Sequence, residues 1–178
     1  MKKILAISTL LLSGISNAGV IEPSCRHLDN LTYDQSRLLN YVYAYANDNR
    51  YNDLPPLGLT MAAIVWKESF VGSHIVVNNP NDGQWGSYGI THVKLETLNY
   101  LLDHGSMWET RGDAFRNLVS DDSYAIDMAL LKLKSTEYKF HASGWKAWWT
   151  SYNGNNPEYG EDIANKVRQL KHCAFFEY

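Results

Sequence analysis

Residues 55–69 read PPLGLTMAAIVWKES, and this stretch predicts a buried helix that ends on a carboxylic acid. The two prolines favour a loop that leads into the first helical turn, because proline fits there and disrupts a helix interior. Leu59, Ala62 and Trp66 recur at three- and four-residue intervals, the spacing of an apolar helix face. Glu68 follows where this face runs out, so we expect its carboxyl at the edge of a hydrophobic core.

Helical periodicity also dominates the rest of the chain. Thr32 and Gln35 have the spacing of a capping box, ahead of a helix that stops in the polar residues 47–52. Asn156 and Pro157 are typical of an N-cap and a first helical residue. We therefore predict a mainly α, single domain of about seven helices with little or no sheet. The other helices are expected at about residues 94–104, 108–118, 121–138, 145–152 and 157–173.

Residues 72–89 are predicted to form a long loop, since glycine, proline and asparagine recur along them. A loop of this length inside a compact domain is usually functional. The β-branched run at residues 75–77 is expected to form a short strand within it.

Residues 1–18 have the layout of a secretory signal peptide: two lysines, an apolar run, and the small-residue pattern Ser-Asn-Ala. The apolar run is too short to span a bilayer comfortably as a helix. We expect cleavage after Ala18, which leaves a mature domain of residues 19–178 that is periplasmic or secreted. A retained N-terminal anchor is the alternative.

The charge of the chain argues against nucleic-acid binding. Removing residues 1–18 takes away two lysines, so 14 basic and 19 acidic residues remain and the net charge moves from −3 to −5. Phosphate contacts need clustered lysine and arginine, which such a balance does not favour. The six histidines form no HExxH pattern, and we expect no metal and no cofactor.

The two cysteines, Cys25 and Cys173, lie near the ends of the mature chain. In an oxidising compartment an even pair indicates a disulfide, which here would tie the termini together. The alternative is a nucleophilic Cys25 assisted by His27, although a pair two residues apart rarely forms a catalytic dyad.

Three short motifs occur in order along the chain. They are Glu68-Ser69, the segment SYGITH at residues 87–92, and Ser-Tyr-Asn-Gly at residues 151–154. With this order and spacing the chain resembles the lytic transglycosylase family, whose domain has the lysozyme-like fold of the soluble lytic transglycosylases. That family has a Glu-Ser motif at a helix end, a Gly-Leu-Met-Gln motif usually preceded by serine, and an Ala-Tyr-Asn motif. The resemblance covers about residues 55–170.

The resemblance implies a role for each matching residue. Glu68 matches the catalytic acid, and Ser69 would help to fix the motif. Tyr152 and Asn153 match a pair that faces the acid, with the tyrosine expected to hold or position it. The cleft wall that receives the N-acetylmuramic acid sugar would be lined by Ser87, Gly89, Ile90, Thr91 and His92.

The second motif departs from the family pattern. Ile90 keeps the apolar role of leucine, Thr91 shortens the wall and adds a hydroxyl, and His92 replaces glutamine with a ring of different reach. Trp85, in the glycine-rich loop, is our candidate for stacking on a sugar ring, and Tyr159 is a further candidate for the same cleft.

The family uses a single acid. By that analogy Glu68 would cleave the β-1,4 bond between N-acetylmuramic acid and N-acetylglucosamine and leave a 1,6-anhydro ring. A second carboxylate, from Asp82, Glu96 or Asp103, would instead activate water, as in a goose-type lysozyme. A non-catalytic wall-binding subunit with the same fold is the third interpretation.

The expected partners are peptidoglycan glycan strands, bound by a monomer. The resemblance allows three settings: a phage lysin, an enzyme that opens the wall for a secretion, conjugation or pilus apparatus, or an enzyme of wall turnover.

Overall fold

The computed structural model of the chain contains seven helices and a small antiparallel sheet within the residues it describes. The described residues are 24–48, 57–77, 86–104, 109–142, 152–153, 156–173 and 175–176. The helices are α1 Arg26–Asp29, α2 Tyr33–Asn47, α3 Gly58–Ser69, α4 Leu95–His104, α5 Arg111–Ser120, α6 Asp122–Ala142 and α7 Pro157–His172. The strands are β1 Val76–Val77, β2 Ser87–Tyr88 and β3 Val93–Lys94.

The mainly α architecture predicted from periodicity is confirmed, and most helix positions agree within a few residues. Helix α6 runs four residues further than expected, to Ala142, and α5 begins at Arg111 rather than near residue 108. The predicted signal segment, the prolines at 55–56 and most of the predicted helix at 145–152 lie outside the described residues. None of the described helices is both long and apolar enough to cross a membrane.

The helix starts follow from side-chain caps. Thr32 accepts from the Gln35 backbone and Gln35 bonds back to the Thr32 backbone, so the predicted capping box is confirmed. Asn156 accepts backbone hydrogen bonds at the start of α7, with Pro157 as the first helical residue, as predicted. Asp121 accepts in the same way from the backbone at the start of α6.

Helix α3 is the centre of the core. All six residues from Met61 to Trp66 are at most 5% exposed, because α3 packs against both α2 and α7. Such a helix is apolar on every side rather than along one stripe, so its local sequence contains few polar residues until Lys67. The helix ends at Phe70, which adopts the left-handed conformation with φ of 48°.

The sheet carries the hairpin loop that brings His92 to Glu68 at the end of α3. Strand β1 pairs with β2, and β2 pairs with β3, both antiparallel. The predicted strand at 75–77 is confirmed at Val76–Val77, whereas the β2–β3 hairpin was not predicted. The loop of this hairpin is residues 89–92, the last four residues of the second motif, and the His92 backbone N–H donates to the Gly89 carbonyl across it.

Gly89 is required by its surroundings. Its φ is +74°, and a Cβ placed on it would lie 2.4 Å from the Leu118 carbonyl oxygen. Glycine accepts this conformation, and it lets the hairpin loop contact the backbone of α5.

A disulfide joins Cys25 to Cys173, as the sequence predicted, at a sequence separation of 148 residues. Cys25 is the N-cap of α1 and Cys173 the C-cap of α7, so the bridge fixes the ends of these two helices together. Because both sulfurs are oxidised, the alternative of a nucleophilic Cys25 is wrong for this structure.

Candidate active site

A cleft of about 340 Å³ opens at the C-terminal end of α3. The β2–β3 hairpin, α4, α6 and the segment Tyr152–Asn153 form its other described walls. The lining combines one carboxylic acid with basic, hydroxyl and amide side chains. These residues are Glu68, Ser87, His92, Lys94, Thr97, Lys132, Tyr152 and Asn153.

Glu68 is the penultimate residue of α3, and its side chain is 16% exposed. Tyr159 on α7 donates a 2.6 Å hydrogen bond to Glu68 Oε1. The second oxygen, Oε2, lies 3.4 Å from His92 Nδ1. Both carboxyl oxygens therefore have a partner, which fixes the side-chain rotamer while one edge stays open to the cleft.

The Tyr159 phenol is suited to remain a donor. Burial, followed by the charge and the hydrogen bond of Glu68, raises its pKa well above the ordinary value. A neutral phenol can donate to either ionisation state of a carboxyl, so it can hold Glu68 throughout a proton transfer.

Ser69, expected to help fix the first motif and counted with the substrate-binding residues, is buried at the end of α3. Its side chain is fully buried, its hydroxyl donates to the Val65 carbonyl, and it accepts from the Gly72 backbone N–H. These bonds close the end of α3 and hold the following turn, so Ser69 positions Glu68 without lining the cleft.

Tyr152 does not hold the acid, and the prediction of that contact is wrong. Its hydroxyl instead donates a 2.6 Å hydrogen bond to the Thr91 carbonyl. The tyrosine of the third motif thus fixes the hairpin loop, while its ring contributes to the cleft wall. The phenol bonded to the acid is that of Tyr159, which the sequence indicated only as a cleft candidate.

The middle of the second motif is buried behind the wall. Ile90 and Thr91 are 3% and 0% exposed, and the Thr91 hydroxyl donates to the Ala125 carbonyl. Gly89 is buried against α5. The prediction that these three residues line the sugar-binding wall is therefore wrong: they anchor the hairpin, and its ends, Ser87 and His92, reach the cleft.

His92 is held from two sides. Its Nε2 lies 2.5 Å from the His74 carbonyl oxygen, and its Nδ1 faces Glu68. Burial lowers the pKa of His92, but the hydrogen bond to Glu68, the His74 carbonyl and the Glu68 charge together outweigh it, so the net shift is upward. His92 adopts a left-handed backbone with φ of 49°, which histidine tolerates better than most residues.

Lys132 on α6 is the functional candidate that sequence reasoning missed. Its Nζ lies 3.8 Å from the centre of the Tyr152 ring. Burial lowers the pKa of Lys132 to about 8, opposed by the Glu68 charge and assisted by that of Lys94. A signal was present, because Lys132 follows Met128 by four residues and so continues an apolar helix face where a lysine is unusual.

Asn153 lies beside Tyr152 on the cleft surface, in agreement with its expected position. Trp85, the candidate for sugar stacking, lies outside the described residues, and so does Ser151. Among the residues that the structure describes, no group of histidine, cysteine and carboxylate side chains is arranged to hold a metal ion.

A larger cavity of about 500 Å³ exists elsewhere, lined by residues of α2 and by Asp122. It contains no residue of the three motifs. The Glu68 cleft is the better candidate active site, because several groups suited to acid–base chemistry converge there. His92, Lys132 and Tyr152 have shifted pKa values, and the Glu68 carboxyl is hydrogen-bonded to the Tyr159 phenol.

Comparisons with known proteins place no relative beside this chain: no protein-family model, no curated protein and no solved structure matches it. The functional inference therefore rests on the geometry of the cleft and on the three motifs.

Proposed function

We propose that the chain is a peptidoglycan lytic transglycosylase with a lysozyme-like domain and Glu68 as its catalytic acid and base. The observation that carries the proposal is the Glu68 carboxyl, held by Tyr159 at the end of the buried helix α3 and open to a cleft. A general acid needs a fixed position next to the atom it protonates, and this arrangement provides it.

The surroundings of Glu68 favour anhydro-ring formation over hydrolysis. Glu68 is the one carboxylic acid among the described residues that line the cleft. Asp103 is exposed and bonded through both oxygens to Arg111, Glu96 is exposed on α4, and neither is among the residues that line the cleft. Asp82, the remaining candidate, lies outside the described residues.

The reaction balances with one acid. The protonated Glu68 gives its proton to the glycosidic oxygen, and the bond between C1 of N-acetylmuramic acid and that oxygen breaks with its electron pair on the oxygen. The acetamido oxygen of the same sugar bonds to C1 and carries the positive charge. The C6 hydroxyl oxygen then attacks C1 and displaces the acetamido oxygen. Its proton passes to the Glu68 carboxylate, which restores the acid.

Glu68→Gln is the decisive variant, assayed by clearing of purified peptidoglycan in a gel and in suspension. We expect loss of about three orders of magnitude or more in rate, since a positioned general acid alone contributes about 10²–10⁴-fold. Glu96→Gln, on the exposed face of α4, is the matched control and should retain activity. No clearing by the unaltered protein would instead support the non-catalytic wall-binding subunit.

Mass spectrometry of the released fragments distinguishes a lytic transglycosylase from a hydrolase. Anhydro products are one water lighter than the reducing products of a goose-type lysozyme. Reducing ends alone would replace the transglycosylase assignment with a hydrolase.

Export is part of the same proposal. The Cys25–Cys173 disulfide is compatible with an oxidising compartment, where peptidoglycan is found. The acidic chain would meet glycan strands as its substrate in the periplasm or outside the cell.

A further inference from the structure

The His92 ring is fixed between a carbonyl and a carboxyl. A carbonyl oxygen only accepts, so the 2.5 Å contact of His92 Nε2 with the His74 carbonyl requires a hydrogen on Nε2. The other nitrogen, Nδ1, then faces an ionisable neighbour, Glu68 Oε2 at 3.4 Å. Whether Nδ1 carries a hydrogen is therefore linked to the protonation of Glu68.

This linkage leaves the Glu68–His92 pair with one proton to share. Either His92 is an imidazolium beside a carboxylate, or it is neutral beside a carboxylic acid. Both arrangements are electrically neutral as a pair. Among the residues that the structure describes, the other charged and titratable groups around the cleft are Lys94 on β3 and Lys132 on α6, with the phenols of Tyr152 and Tyr159. A protonated lysine only donates, and the two phenols are bonded elsewhere, Tyr152 to the Thr91 carbonyl and Tyr159 to Glu68.

We propose that His92 is the proton store of Glu68, a positioning residue that keeps a proton on Nδ1 within reach of the catalytic carboxyl. This role rests on the proposed glycan-cleaving function of Glu68. It also gives a physical reason for histidine at a position where the resembled family has glutamine, because an amide bonds to a carboxyl but does not hold an exchangeable acidic proton.

The proton transfers balance without another reactant. The His92 Nδ1–H bond breaks with its electron pair on nitrogen, and the proton joins Glu68 Oε2. Glu68 then passes a proton to the glycosidic oxygen as that bond breaks. The proton of the C6 hydroxyl returns to Glu68 and from there to Nδ1, so the pair ends as it began.

The first test measures the pair directly and needs no activity. The histidine ring signals of the disulfide-bonded protein are followed by nuclear magnetic resonance against pH, in the unaltered chain and in Glu68→Gln. We expect the pKa of His92 to fall in the variant, because burial, which lowers it, then acts without the opposing carboxylate. An unchanged His92 titration would overturn the proposal, even if the chain cleaves peptidoglycan.

The second test uses the pH profile of glycan cleavage. We expect His92→Gln to retain activity at acidic pH and to lose it at a lower pH than the unaltered protein on the alkaline side, because a carboxyl ordinarily gives up its proton at lower pH than an imidazole. His104→Gln, an exposed histidine of α4, should leave the profile unchanged. A uniform loss at every pH would indicate a merely structural role and contradict the proposal.

The backbone conformation at His92 makes a second variant necessary. Its φ of 49° strains most side chains, so His92→Asn, which tolerates this conformation better, is measured beside His92→Gln, with thermal unfolding of both. If both variants lose activity at a lower alkaline pH than the unaltered protein, and by the same amount, the proton store is supported. If the alkaline limb of the pH profile is unaltered in both variants, the proposal is refuted. If the unaltered protein is inactive, the proposed function fails while the resonance titration still decides whether the pair shares a proton.

Discussion

Tyr159 Oη lies 2.6 Å from Glu68 Oε1, and this hydrogen bond joins α7 to the end of α3. Beside it, Lys67 Nζ lies 2.5 Å from Asp162 Oδ2, so neighbouring residues of α3 contact α7 about one turn apart. The two contacts fix the rotation of α3 about its axis. This rotation determines that the Glu68 carboxyl, at the end of the helix, points towards the cleft.

Tyr159→Phe removes the hydroxyl and keeps the ring. We expect kcat for peptidoglycan cleavage to fall by about 10- to 100-fold with little change in KM. A hydrogen bond to a charged group contributes about 1.5–3 kcal/mol, and about 1.4 kcal/mol corresponds to a factor of ten. The measurement is initial rates of clearing over a range of substrate concentrations.

Tyr100→Phe is the matched control, because Tyr100 is 51% exposed on α4 and lines no part of the described cleft. It should have the kcat of the unaltered protein. A Tyr159→Phe enzyme with unaltered kcat would show that Glu68 is positioned by other contacts.

The helices and the place of Glu68 were predictable because they depend on local sequence. The apolar spacing of α3 and the caps at Thr32 and Asn156 act within a few residues, so each can be seen without the rest of the fold. Glu68 follows directly from where the apolar run of α3 ends.

The partners of Glu68 were less predictable because they depend on packing between distant segments. Tyr152 and Tyr159 are seven residues apart, and the approach of α7 to α3 decides which phenol reaches the acid. The strands around the second motif have two residues each, too few for an alternating pattern. Without the hairpin, Ile90 and Thr91 could not be recognised as buried.

Gly89→Ala should destabilise the hairpin that carries His92. The added Cβ would lie 2.4 Å from the Leu118 carbonyl oxygen, which belongs to a helix backbone, and φ of +74° is strained for alanine. We expect the free energy of unfolding to fall by about 2 kcal/mol or more, measured by urea denaturation, with a parallel loss of activity.

Gly112→Ala is the matched glycine substitution in α5. A Cβ there meets nothing closer than 4.0 Å, and alanine favours the helix, so stability should be unchanged or rise by up to about 1 kcal/mol. Equal losses in both variants would mean that the close approach at Gly89 does not constrain the fold.

Lys132→Met tests the cost of burying an amine beside the cleft. Burial lowers the pKa of Lys132 to about 8 from 10.5, so the folded chain releases this proton more readily than the unfolded chain. The sign follows: the contribution of Lys132 to stability is fully present above about pH 10.5 and is lost as the pH falls through 8. Between pH 8 and 10.5 the unfolding free energy of the unaltered protein should therefore rise relative to that of Lys132→Met.

The gain should be at most about 3.5 kcal/mol, from about 1.4 kcal/mol per pKa unit, measured as the difference in unfolding free energy at each pH. Lys171→Met, an exposed lysine of α7, controls for general effects of alkaline pH. A difference that stays constant from pH 7 to 10.5 would contradict the lowered pKa.

Replacing both Cys25 and Cys173 by serine tests the bridge between α1 and α7. The bond closes a loop with a sequence separation of 148 residues, and cross-linking so long a loop restricts the unfolded chain. We expect the unfolding free energy to fall by about 3–5 kcal/mol in urea denaturation. Reductant should lower the urea midpoint of the unaltered protein to that of the double variant. It should not change the midpoint of the double variant. Because α7 carries Tyr159, cleavage activity should also be lost at a lower temperature in the variant than in the unaltered protein. Equal thermal inactivation of both proteins would show that the disulfide does not contribute to the positioning of Glu68.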